Sequence, residues 1–212
     1  MARVKICGVN SAGAFDAAVA AGADFVGFVF FPPSPRAVTP EQAKNLSARA
    51  PASGQPGGPR RVGLFVDPTE AAIAAALAAV KLDALQIYAD GARAAALRLR
   101  FGVPVWRAVG VASAADLPAR LEGVDGLLLD AKPAADALRP GGNAQAWNWP
   151  MLAGWAAPGP WILAGGLTPE NVAAAVRASG AAAVDVSSGV ERAPGEKDSE
   201  LIRAFVAAAR AA

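Results

Sequence analysis

The chain contains no histidine, one cysteine and one tyrosine among 212 residues. Without histidine there can be no His-based nucleophile triad, no His-ligated metal and no imidazole acid–base chemistry. A lone cysteine, Cys7, excludes an intrachain disulfide framework and leaves no ligand set for a structural zinc. It fits a reducing cytoplasm, where the protein is expected to reside. Proton transfer is left to Asp, Glu, Lys, Tyr88 or Cys7. No run of about 18 apolar residues escapes interruption by charge, Pro or Gly, so no membrane span is expected. Met1-Ala2-Arg3 leads straight into a strand, with no room for a signal peptide. Charge of one sign is scarce too: 20 Lys and Arg against 18 Asp and Glu leave a net charge of +2. The basic residues are scattered, which argues against nucleic-acid binding. The slight positive excess would suit a small anionic substrate but is equally ordinary.

What the chain does have is alanine, with apolar residues making up 54% of the sequence. Short β-rich runs alternate with alanine-rich helical stretches. Strands are expected at Val4–Cys7, Phe25–Phe30, Arg61–Val66, Ala84–Tyr88, Val103–Ala108, Gly126–Asp130, Trp161–Ala164 and Ala183–Val186. Helices are expected near Ala12–Ala21, Pro40–Ala50, Pro68–Val80, Gly91–Phe101, Ala114–Leu121, Trp149–Ala156, Pro169–Ser179 and Lys197–Arg210. Thr39-Pro40, Asp67-Pro68 and Thr168-Pro169 each place an N-cap residue before a proline at the first helical position. Gly22, Gly102 and Gly180 fall where helices should end. An eightfold strand–helix alternation implies an α/β fold with a parallel sheet, most simply a single-domain (β/α)8 TIM barrel over residues 1–212. A doubly wound open sheet is the alternative. Residues 52–59 read as a flexible connection rich in Gly and Pro.

In a barrel the active face collects the residues that follow each strand. Cys7 ends the first strand, although a lone cysteine is often a small buried hydrophobe. Asp130 ends Leu127-Leu128-Leu129-Asp130; desolvation there would raise its pKa and let it hold a proton near neutrality, while a turn or cap role is the plain alternative. Strands 1 and 6 can face each other across the mouth, spacing a base and an acid about one substrate. Gly165 and Gly166 after strand 7, and Ser187, Ser188 and Gly189 after strand 8, suit backbone N–H contacts to a phosphate, though a Gly-Gly pair is often only a turn. Arg36 sits on the proline-stiffened loop Phe31-Pro32-Pro33-Ser34-Pro35 and could hold a carboxylate or merely face solvent. Pleat alternation puts Lys5 on the Cys7 face of strand 1 and Asp185 on the Ser187 face of strand 8. Barrel closure makes these strands neighbours, so Lys5 should point inward and pair with Asp185, and it could favour a Cys7 thiolate.

Lys5-Ile6-Cys7-Gly8, Phe30-Phe31-Pro32-Pro33-Ser34-Pro35-Arg36, Ala164-Gly165-Gly166-Leu167-Thr168-Pro169-Glu170-Asn171 and Val184-Asp185-Val186-Ser187-Ser188-Gly189-Val190-Glu191, with Gly195 and Lys197-Asp198, resemble the phosphoribosylanthranilate isomerases of tryptophan biosynthesis. The resemblance runs through essentially the whole chain in order. It implies an Amadori rearrangement of N-(5′-phosphoribosyl)anthranilate, with Cys7 as general base, Asp130 as general acid and Arg36 on the anthranilate carboxylate. It also implies a small phosphorylated substrate, no metal or organic cofactor, and a monomer or homodimer. The chain departs from the pattern in two places. Gly141-Gly142-Asn143-Ala144-Gln145 has Ala and Gln where the family carries Gly and a basic residue, and Ile87-Tyr88-Ala89 replaces Leu-His-Gly after Gln86. Other readings are a pentose-phosphate epimerase, disfavoured by the missing histidines, a histidine-pathway isomerase, and a barrel kept for binding.

Overall fold

The structure, a computed structural model, describes residues 1–132 and 147–212. Eight parallel strands close into a barrel in sequence order: β1 (Arg3–Cys7), β2 (Phe25–Val29), β3 (Arg60–Val66), β4 (Ala84–Tyr88), β5 (Val105–Val111), β6 (Gly126–Ala131), β7 (Trp161–Leu163) and β8 (Ala183–Val186). Closure is made by β8 pairing with β1, with Lys5 level with Asp185. The open-sheet alternative is thereby excluded.

The alternation of side chains explains the two apolar layers. Outward residues such as Val4, Ile6, Phe28, Phe65, Leu85, Ile87 and Leu127 lie in one core with Phe15, Ile73, Leu97, Ile202 and Phe205 of the surrounding helices. Inward residues fill the barrel. Phe25, Val62 and Ala84 with Trp106 close its amino-terminal end, where Phe25 and Trp106 meet edge to face at 5.3 Å. Cys7, Val29 and Leu64, with Tyr88 against them, line the opposite mouth.

Among the described residues, six α-helices surround the sheet: α1 (Ala12–Ala20), α2 (Pro40–Ser47), α3 (Glu70–Ala79), α4 (Gly91–Phe101), α5 (Val172–Ser179) and α6 (Ser199–Arg210). Thr39 caps α2 in a reciprocal box with Gln42, as its Thr-Pro start predicts. The other two proline starts precede the observed caps by two and three residues. Asp67 takes a left-handed φ of 40° and Thr69 caps α3 instead, while α5 begins only after Asn171. Gly102 and Gly180 do end α4 and α5 in the left-handed conformation, and Gly22 follows α1 in the same way.

Two expected helices are corrected to single 3-10 turns, Ala114–Asp116 and Trp149–Leu152. Pro118 cannot donate to a continuing helix, and Glu122 and Gly123 both turn left-handed soon after. Gly154, with φ 80°, stops the second in the same way. A feature absent from the strand–helix pattern is the hairpin of β9 (Glu191–Ala193) and β10 (Glu196–Lys197) after β8. The stretch Gly141–Gln145 lies outside the described residues. Among the described residues, no helix is long and apolar enough to cross a membrane.

Candidate active site

Lys5 is fully buried inside the barrel, and its Nζ donates to Oδ1 of Asp185 at 2.8 Å. The expected pair is therefore present, formed across the β1–β8 seam. A buried ammonium is tolerable only with such a partner. Burial opposes its charge, but Asp185 and Cys7 together outweigh that and raise its pKa. Gly27 of β2 makes room for the cluster, since a Cβ there would sit 3.1 Å from Cys7 Sγ and 3.2 Å from Lys5 Nζ. Asp185 is thus first a partner of Lys5.

Cys7 stands two residues beyond Lys5 on the same inward face and is buried. Burial pushes its thiol up; Lys5 pulls it down without overcoming that, so the resting group is a thiol. The expectation that Lys5 favours the thiolate holds in direction only. The residue after it, Gly8, turns left-handed at φ 73°, and a Cβ there would lie 2.6 Å from Cδ of Arg36. The Cys-Gly pair thus ends β1 and lets the Arg36 stem lie against the turn.

Asp130 ends the apolar run of β6, buried, with Oδ1 accepting the Ala131 N–H at 2.8 Å and Oδ2 accepting the Tyr88 hydroxyl at 3.2 Å. Burial, then the nearby Asp185 charge, pushes its carboxyl up to about 7, against the pull of these two donors. Tyr88 ends β4 and belongs to the apolar cluster that contains Cys7. Cys7 and Asp130 therefore share one mouth and one set of charged neighbours.

Arg36 is buried rather than solvent-facing, and its Nε and Nη2 grip Glu191 at 2.7 and 2.8 Å. Lys197 reaches the same carboxylate at 2.7 Å and also donates to the Ser187 carbonyl at 2.8 Å. Burial alone would raise Glu191, but Arg36 and Lys197 bring it down to about 2. The β9–β10 hairpin that supplies both residues is tied to the neighbouring loops: Asn10 donates to the Gly195 carbonyl, and a Cβ on Gly195 would strike the carbonyl of Pro35.

The two small-residue loops meet. A Cβ on Gly189 would collide with the carbonyl of Leu167, so loop 8 rests directly on loop 7. Gly165 and Gly166 are both left-handed; a Cβ on Gly165 would sit 2.6 Å from the Ala131 nitrogen. Asn171 locks the turn by accepting from Thr168 N and donating to the Gly166 carbonyl. Ser187 donates to the Cys7 carbonyl at 3.3 Å, and Ser188 opens a 3-10 turn. Ser187 is tied to the Cys7 carbonyl, Asp185 pairs with Lys5 beside Cys7, and Asp130 feels the Asp185 charge, with Gly165, Gly166, Ser188 and Gly189 on the joined loops and Arg36 on the hairpin side.

Sequence reasoning assigned no role to Glu191 or Lys197. The only signal was their place in the strand 8 motif, because the pairing of Arg36 with Glu191 spans 155 positions.

Residues 4–208 match the family described as N-(5'phosphoribosyl)anthranilate (PRA) isomerase. The N-(5'-phosphoribosyl)anthranilate isomerase of Acidiphilium cryptum is 62% identical over 212 residues, 100% of each chain. That of Granulibacter bethesdensis is 56% identical and covers 99% of each. Among solved structures, phosphoribosyl anthranilate isomerase from Thermotoga maritima matches with TM-score 0.83 at 32% identity, covering 100% of both chains. An isomerase solved in complex with reduced 1-(o-carboxyphenylamino)-1-deoxyribulose 5-phosphate matches with TM-score 0.82 at 33% identity, again over 100% of both. The chain belongs to the N-(5′-phosphoribosyl)anthranilate isomerase family.

Proposed function

We propose that this isomerase carries out the Amadori rearrangement of N-(5′-phosphoribosyl)anthranilate to 1-(2-carboxyphenylamino)-1-deoxyribulose 5-phosphate, with Asp130 as general acid and Cys7 as general base. The observation that carries this reading is a buried carboxyl held near pKa 7 at the end of β6, hydrogen-bonded to a tyrosine that packs against the only thiol. Asp130 gives its proton to the furanose ring oxygen as the C1′–O bond breaks, and the anthranilate nitrogen supplies the electron pair that forms the iminium. The iminium acidifies C2′–H, which the Cys7 thiolate removes. The resulting enolamine tautomerises to the ketone.

The productive pairing, protonated Asp130 with ionised Cys7, reverses the order in which the two free groups titrate. Lys5 narrows that gap by drawing the thiol down. The pair must hold one proton in total. Turnover should therefore rise as the pH passes about 7, where Asp130 loses its proton in the free pair, and fall only at the raised value of the thiol.

For the remaining groups of the substrate, the joined loops at Gly165-Gly166 and Ser187-Ser188-Gly189 offer small residues and backbone N–H groups for the phosphate. Arg36, whose stem lies against the turn after Cys7, is the guanidinium that would meet the anthranilate carboxylate.

Decay of the substrate's fluorescence tests the assignment. Cys7→Ser and Asp130→Asn should each lower kcat by roughly 10²–10⁴ while a product analogue still binds. Ligand binding by the wild type without turnover would replace the enzyme reading with that of a binding barrel.

A further inference from the structure

We propose that Tyr88 is a positioning residue for the acid. Resting on the assignment of Asp130 above, this inference gives the lone tyrosine the task of fixing and tuning that carboxyl group. The ring lies among two interior clusters. One contains Cys7, Val29 and Leu64, and the other contains Ala108 and Leu128 beside the Asp130 strand. From that seat the hydroxyl crosses above β5 to Oδ2 of Asp130 at 3.2 Å. One side chain thus touches the wall that carries the base and hydrogen-bonds the acid.

The arrangement divides the carboxyl group. Oδ1 is taken by the Ala131 N–H, leaving Oδ2 and the adjustable hydroxyl to handle the moving proton. Before transfer the hydroxyl oxygen can accept from protonated Asp130. After transfer it rotates and donates to the carboxylate, stabilising the product of the step. Tyr88 is itself far from ionising, because burial and then the Asp130 charge hold its phenol well above 10. Its strength as a donor therefore stays constant where the pair works. Among the described residues, the other ionisable groups that act on Asp130 are Asp185 on β8 and Lys5 on β1, while Cys7 on β1 acts on Tyr88. The flanking strands present Gly110, level with Asp130 on β5, and Ala164 after β7, neither of which titrates.

Because Tyr88 is the only tyrosine, growth on 3-fluorotyrosine places a single fluorine probe at this site. The fluorine resonance should titrate near pH 7, and the titration should vanish in Asp130→Asn. Tyr88→Phe keeps the ring and removes the donor, so the inflection of kcat/KM near pH 7 should move up by roughly one unit and kcat should fall several-fold. A fluorine signal that ignores pH, or an unmoved inflection in Tyr88→Phe, would overturn the role of Tyr88 while Asp130→Asn stays inactive. Full turnover by Asp130→Asn would instead remove the acid assignment on which the inference rests.

Discussion

Both ends of the barrel bury charge, and they treat it in opposite ways. At the amino-terminal end Arg61 of β3 is 3% exposed, and its guanidinium is spent on the carbonyls of Ser47, Ala50, Pro51 and Pro59 and the hydroxyl of Ser47. Those acceptors are neutral and belong to the last residue of α2 and the connection that follows it. The charge there staples a loop. At the mouth, Lys5, Asp185, Cys7, Tyr88 and Asp130 act on one another, and Lys5, Cys7, Tyr88 and Asp130 all hold their protons above their ordinary values. Buried charge saturated by backbone carbonyls is scaffold. Buried charge shared among ionisable groups is poised for proton transfer.

The sharpest way to break the mouth is Lys5→Met. It strands Asp185 as an unpaired buried carboxylate, which should cost about 3–5 kcal/mol of unfolding free energy in denaturant titration. It also removes the one group that lowers Cys7 most, so the thiol should move further up and turnover should collapse. Adding Asp185→Leu should restore most of the stability and none of the activity. Recovery of both would mean that the pair holds the barrel shut and does nothing for the thiol.

That pair was legible in the sequence, because alternation along Val4-Lys5-Ile6-Cys7 and Val184-Asp185-Val186-Ser187 is strict and barrel closure makes those strands neighbours. All eight strands were legible for the same reason, since each is a short apolar run between turn signals. The helices after β5 and before β7 were not. Alanine-rich stretches carry high helical propensity everywhere, and only tertiary context reveals that Leu117-Pro118 and Gly154 stop them. Nor could the Arg36–Glu191–Lys197 cluster be read, since it needs a hairpin with no periodic signature to fold back onto a loop from the other end of the chain.

Asp130→Asn sharpens the comparison in the direction opposite to Lys5→Met, by making the protein more stable. The folded-state pKa of Asp130 is raised from 3.8 to about 7, so native protein holds a proton that the unfolded chain has released. This contribution to stability is complete at low pH and is lost as pH rises through about 7. At about 1.36 kcal/mol per unit, the penalty carried above pH 7 approaches about 4 kcal/mol. The asparagine variant should therefore exceed wild type by about 2–4 kcal/mol at pH 8, and the difference should close by pH 4. Equal stability at both values would mean that the carboxyl titrates as an ordinary surface group.

The smallest effect is expected at the other end, from Arg61→Lys. The positive charge survives the exchange, so electrostatics changes little. What is lost is the planar fork, since a compact ammonium with three donors cannot reach carbonyls at Ser47, Ala50, Pro51 and Pro59 at once. Leaving one or two of these buried acceptors unpaired should cost about 1–3 kcal/mol. Because no member of the mouth cluster touches Arg61, kcat, KM and the inflection near pH 7 should be those of the wild type. A shift of that inflection would show that the two ends are coupled through the barrel interior, and the division between scaffold and site would have to be redrawn.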